Sequence, residues 1–258
     1  MSQVVVFHGS GHRAGCTMTA QSVAELIAKE KKELAVLFTA LNGRASSEYM
    51  SAGAVKIDEF KIQLKSGIGI DKNTLNADRK IENLYIIAGV EREEETRYFV
   101  PDMAELLLQS LADKFDLIII DSGSEIDNGL AFGALSMNSI KYLIMEQSES
   151  SVKRYEKMHE LYERLNVDFD KYILSKYLED DPLTVNYISS RLLINKSLFF
   201  SIGFDDKGRI SEMEYRTLLD TGHDRYRADI TAIANDVIRA MGLEKIQLKR
   251  KRTWNSFL

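Results

Sequence analysis

Proline, cysteine and tryptophan are scarce in this chain, and the first two shortages each close off a class of protein. Among 258 residues there are two prolines, one cysteine and one tryptophan. A single thiol, Cys16, excludes an internal disulfide framework and suits a reducing compartment. With only Pro101 and Pro182, and no internal repeat or low-complexity stretch, nothing marks an interdomain linker. No apolar run approaches the ~20 residues that a membrane-spanning helix needs. The start, Met1-Ser2-Gln3 leading into Val4-Val5-Val6-Phe7, has neither a basic leader nor a long apolar segment. These features predict a soluble, cytoplasmic protein, with any membrane contact peripheral and at the inner face of the cell membrane. Positive charge is not in excess either: 34 basic residues face 39 acidic ones, for a formal charge of −5. That balance argues against a nucleic-acid-coating role, and no helix-turn-helix signal supports sequence-specific DNA reading. Four histidines, His8, His12, His159 and His223, have no ligand spacing, so no histidine-based metal site is expected.

Apolar residues are plentiful, at 45 %, and their arrangement is regular. Short apolar runs recur at Val4–Phe7, Leu34–Phe38, Leu84–Ala88, Asp116–Asp121, Ser139–Met145 and Tyr172–Leu174. Between them lie helical patterns: from Thr17 to about Lys31, from Met103 to Leu108 with Pro101-Asp102 at its start, and around Ile230 to Met241. Strands apolar on both faces and alternating with helices predict an α/β fold: a mostly parallel twisted sheet with helices on both faces. One domain spans residues 1–242. Ala45 to Lys80 is the least regular stretch, read as an elaborated connection or an ordinary surface excursion. Residues 243–258 form a basic and aromatic C-terminal tail, with Lys249-Arg250-Lys251-Arg252, Trp254, Phe257 and Leu258.

The turn between the first strand and the first helix carries the chemistry. It reads His8-Gly9-Ser10-Gly11-His12-Arg13-Ala14-Gly15-Cys16-Thr17. Backbone N–H groups and the helix dipole converge at such a turn and suit it to phosphate. A full phosphate-binding P-loop would end Gly-Lys-Ser/Thr, with lysine on the terminal phosphates and the hydroxyl on magnesium. Gly15 and Thr17 are present, but Cys16 stands where the lysine belongs.

The turn, followed by Phe115-Asp116-Leu117-Ile118-Ile119-Ile120-Asp121-Ser122-Gly123-Ser124, resembles the ParA/MinD group of deviant P-loop ATPases. Within that group the sequence is similar to the atypical TadZ/CpaE-type members associated with pilus assembly. The likeness continues through Tyr142 to Ser148 and Ser151 to Tyr155, and Phe200 to Asp205 resembles the family's Ile-Pro-Tyr-Asp segment. It covers nearly the whole chain and lies in the order and spacing of the motifs. The resemblance implies ATP or ADP held by Gly11, His12, Arg13, Ala14, Gly15, Cys16, Thr17 and Met18. It also implies Mg²⁺ held by the Thr17 hydroxyl and, through water, by Asp121. A homodimer and a pilus or secretion assembly partner are further implications.

Three positions depart from the family. Cys16 replaces the phosphate lysine, Gly11 replaces the second lysine that reaches across the family's dimer, and Ala40 replaces the aspartate that polarises the attacking water. Loss of one preorganised donor lowers rates by about 10²–10³. The expectation is therefore a localisation or assembly factor that binds nucleotide weakly and turns over little. His12 and Arg13 are candidates for replacement charge. Two alternatives stand beside it: a slow Mg-dependent ATPase using Arg13, and a nucleotide-free adaptor or membrane-associated scaffold. Asp121 equally reads as a turn cap, and Cys16 as an inert packing residue. The tail resembles a short form of the MinD-type membrane helix, against the plainer reading of a solvated or subunit-packed end.

Overall fold

In the computed structural model of the protein, residues 2–42 and 54–247 are described. The apolar runs become strands because each is long enough to cross one core and carries few polar groups to leave unpaired. They are β1 (Gln3–Gly9), β2 (Val36–Ala40), β3 (Val55–Lys56), β4 (Leu84–Ala88), β5 (Leu117–Asp121), β6 (Ile140–Glu146), β7 (Lys171–Tyr177) and β8 (Phe199–Gly203). They form one sheet in the order β3-β4-β2-β5-β1-β6-β7-β8, with every neighbouring pair parallel. An isolated antiparallel bridge joins Ala77 and Tyr85.

Parallel neighbours need crossovers, and helices supply them. These are α1 (Cys16–Glu30), α2 (Lys61–Lys65), α3 (Pro101–Leu111), α4 (Gly129–Ser136), α5 (Glu149–Arg164), α6 (Val185–Arg191), α7 (Gly208–Met213), α8 (Leu218–Thr221) and α9 (Asp224–Ala240). Strand alternation sorts the core into two layers. Val5 and Phe7 pack with Ala20, Val23 and Ile27 of α1 and Ile230 and Ile233 of α9. Val6 joins Leu107 of α3, Leu130 of α4 and Val152 of α5 on the opposite face. Both faces are covered, as expected from the sequence. Among the described residues no helix is long and apolar enough to cross a membrane.

Some details differ from the sequence reading. Val100 takes the N-cap position of α3, and Pro101 is the first helical residue, where its missing N–H costs nothing. The described part of the irregular stretch holds β3, α2 and short 3-10 turns at Ile57–Phe60 and Lys72–Thr74. Helix α4 has no counterpart in the sequence reading. Beyond α9, Ile246 is buried and exchanges two hydrogen bonds with Asn235, at 2.7 and 3.2 Å. The basic cluster Lys249 to Arg252, with Trp254, Phe257 and Leu258, lies outside the described residues, as do residues 45–53 of the irregular stretch.

Candidate functional site

The chain leaves β1 at Gly9 and enters α1 at Cys16, and hydrogen bonds from neighbouring strands hold the intervening turn. Gly9 N donates to Gly123 O at 2.7 Å, and Ser10 N to Ile144 O at 2.8 Å. Arg13 and Gly15 have positive φ, 62° and 84°. Gly15 is the N-cap of α1 and, having no side chain, offers none to cap the N–H groups of the first turn. A Cβ placed on Gly15 would meet nothing within 4 Å, so the space above this helix start is open. Ala14 is buried, whereas His12 and Arg13 are exposed.

Thr17 lies in the first turn of α1 and Asp121 at the end of β5. Register explains their meeting: Asp121 pairs with Phe7 on one side and Ala40 on the other, which puts it at the C-terminal edge of three central strands. This edge is where parallel sheets bind ligands. Thr17 Oγ1 donates to Asp121 Oδ2 at 2.5 Å, and Gly123 N donates to Oδ1 at 2.9 Å. The Cys16 thiol and the Asn42 carboxamide also reach Asp121. Burial pushes the Asp121 carboxyl above its usual range. The hydroxyl, amide, thiol and carboxamide that oppose this are all neutral.

Cys16 faces the protein interior. Burial pushes its thiol well up, and the nearby Asp121 charge adds to the effect, so the group is a protonated thiol and not a nucleophile. Met18 packs toward α8, its sulfur accepting from Leu218 N at 3.3 Å. His12 is tied to the loop after β5: Nδ1 is 3.3 Å from Ser124 Oγ and Nε2 is 2.9 Å from Glu125 Oε1. Ala40 is fully buried beside Asp121 and offers no polar atom there.

Three neighbours of the turn escaped the sequence reading. Asn42 follows β2 and donates to Asp121 O at 3.3 Å. Ser10 and Ser151 meet at 2.8 Å although 141 residues separate them. Arg154, one turn further along α5, crosses the turn at Gly11. Asp205, Asp206 and His223 also come together at the surface, although their spacing gave no sign of it. Both Asp205 oxygens already accept backbone N–H groups, from Lys207 at 3.0 Å and His223 at 2.7 Å.

Neither a protein-family model nor a curated relative matches the sequence. Solved structures do match in fold. A ParA family ATPase from Chlorobium tepidum TLS superposes with a TM-score of 0.76 at 17 % identity, over 91 % of this chain and 99 % of its own. The septum site-determining protein MinD from Pyrococcus horikoshii OT3, solved with Mg-ADP, gives 0.73 at 16 % identity, covering 94 % and 98 %. MinD in a MinC:MinD complex from Aquifex aeolicus gives 0.70 at 19 % identity, covering 96 % and 99 %. The chain therefore has the α/β fold of the ParA and MinD ATPases over nearly its full described length.

Proposed function

We propose that this chain is an atypical ParA/MinD-like localisation or assembly factor with a degenerate phosphate-binding loop, of the TadZ/CpaE kind. It binds ATP or ADP weakly and positions a pilus or secretion apparatus. The observation that carries this reading is the contact between Thr17 and Asp121 at a helix start whose N-cap is glycine, beneath the open space at Gly15. The residues fit the ligand. A phosphate needs converging N–H groups and room for close approach, which an αL Gly15 before α1 supplies. A Mg²⁺ ion needs oxygen donors, and Thr17 and Asp121 offer a hydroxyl and a carboxylate. Asp121 is a buried carboxyl held by neutral donors, so a divalent cation would supply the missing counter-charge. A bound ion would neutralise phosphate charge there.

Turnover is expected to be slight. Cys16 directs its thiol into the protein, and Ala40 brings no carboxylate to orient water. His12 has its ring occupied by Ser124 and Glu125, which leaves Arg13 as the turn's own cation. Neighbours of the same fold include a MinD bound to MinC, which supports a partner-recruiting role for this chain, and a homodimer belongs to the same proposal. Peripheral membrane contact through the C-terminal tail, from the cytoplasmic side, belongs to the same proposal.

Calorimetry of ATP and ADP with Mg²⁺ tests the reading. Micromolar to millimolar binding is expected, weakened strongly in Asp121→Ala and lost in Gly15→Val. Absence of wild-type binding at millimolar nucleotide would overturn it. The alternative of a nucleotide-free adaptor would then stand, favoured by an Asp121 already satisfied by internal donors.

A further inference from the structure

The turn has no lysine, yet a cation reaches it from elsewhere in the fold. Arg154 is three residues after Ser151 on α5, so the two share a helix face. Ser151 Oγ lies 2.8 Å from Ser10 Oγ and accepts from Glu146 N at 3.1 Å, which fixes this face against the Gly-rich turn. The arginine stem then crosses Gly11. A Cβ at Gly11 would stand 3.3 Å from Arg154 Cδ and 3.6 Å from Nε. Gly11 is not among the glycines of positive φ, so its backbone does not demand glycine. The missing side chain leaves room for the arginine.

On the same helix Lys153 pairs with Glu149 at 3.3 Å and Arg164 with Glu160 at 3.5 Å, whereas Arg154 extends over Gly11. Among the described residues no carboxylate pairs with Arg154, and its side chain is exposed. Its charge also reaches the buried His8 at the end of β1. A guanidinium held over the Gly-rich turn at Gly11, with no carboxylate on it among the described residues, is arranged to recognise an anion.

We infer that Arg154 is the principal cation of this site. It contacts the phosphate chain of a bound nucleoside di- or triphosphate from within the same subunit, through the gap that Gly11 leaves. The inference rests on the nucleotide reading above. It explains how a turn with Cys16 in place of lysine retains affinity for phosphate, and it makes Gly11 and Arg154 a matched pair.

The test is calorimetric titration of the full chain with Mg-ATP, Mg-ADP and inorganic tripolyphosphate, for wild type, Arg154→Gln and Arg154→Lys. Glutamine keeps much of the stem across Gly11 and removes the charge, so a purely packing role would leave its binding unchanged. Loss of one charge-assisted contact is expected to weaken ATP and tripolyphosphate binding about tenfold to hundredfold in Arg154→Gln. Arg154→Lys, which keeps the charge and loses the planar fork, should fall between. Wild-type affinity in Arg154→Gln would overturn this assignment and leave the nucleotide reading intact. No binding by wild type to any of the three ligands would overturn both.

Discussion

His8 has one hydrogen bond and one orphan nitrogen, and the pattern settles its tautomer. Ser122 Oγ donates to Phe7 O at 3.1 Å, so its proton is committed, and His8 Nδ1–H must donate to Ser122 Oγ at 2.9 Å. Nε2 is then the unprotonated nitrogen, buried without a partner on the side of the sheet where Tyr162 and Phe169 pack around the ring. Burial, assisted by the Arg154 charge, drives the His8 pKa from 6.5 down to about 3. The unfolded chain therefore binds this proton more readily than the native one. The stabilising preference for neutral His8 is complete above about pH 6.5 and declines as pH falls toward about 3. Each unit in that window removes up to about 1.4 kcal/mol. His8→Asn keeps a donor for Ser122 and has no proton to take up. Urea unfolding between pH 7 and 5 should show a steeper loss of stability in wild type than in His8→Asn. Equal slopes would mean that His8 is hydrated or charged in the native state.

At the same scale, the site was half legible. Gly15, Thr17 and Asp121 could be read because strand, turn and helix follow one another and because Asp121 closes the most apolar run in the chain. Asn42, Ser151 and Arg154 could not. Each meets the turn through register or a helix face, at separations such as the 79 residues between Asn42 and Asp121. No local pattern encodes such a meeting. The grouping of Asp205, Asp206 and His223 was hidden for the same reason: His223 arrives from the start of α9, 17 residues after Asp206.

Elements show the complementary lesson. The six apolar runs read from the sequence became β1, β2, β4, β5, β6 and β7, because strands buried on both faces need uninterrupted hydrophobic residues. Strand β3 has two residues at a sheet edge and carries too little pattern to be seen. Helix α4 was missed because Gly129 and Gly133 argue against a helix on propensity alone. Their use is close approach. A Cβ on Gly133 would stand 2.5 Å from Pro101 O and 2.8 Å from Ala104 Cβ, so α4 lies nearly on the backbone of α3. Neither contact is the movable end of a flexible side chain. Gly133→Ala should therefore destabilise by about 1–3 kcal/mol, as overpacking does, despite alanine's better helix propensity. A denaturant midpoint that rises instead would mean that α3 and α4 slide apart freely.

For the whole molecule, the candidate site exists only when distant segments are assembled. Thr17 and Asp121 are 104 residues apart, and Ser10 and Ser151 are 141 apart, so the unfolded chain has no comparable cradle. A ligand that binds only the folded form stabilises it by mass action, by about 2.7 kcal/mol at a concentration one hundred times its Kd. For a chain of 258 residues, each kcal/mol moves the thermal midpoint by about 2–4 °C. Saturating Mg-ATP should accordingly raise Tm by about 5–10 °C. The shift should shrink when Mg²⁺ is chelated, because the Thr17 and Asp121 oxygens would lose the ion that links them to phosphate. In Gly15→Val the baseline itself falls, since a β-branched residue at φ 84° is strained by at least about 1–2 kcal/mol. The diagnostic quantity is therefore the ligand-induced shift and not the absolute midpoint. It should vanish in that variant, because the valine side chain fills the open space that phosphate would enter. A shift preserved in Gly15→Val would put the nucleotide somewhere other than this turn.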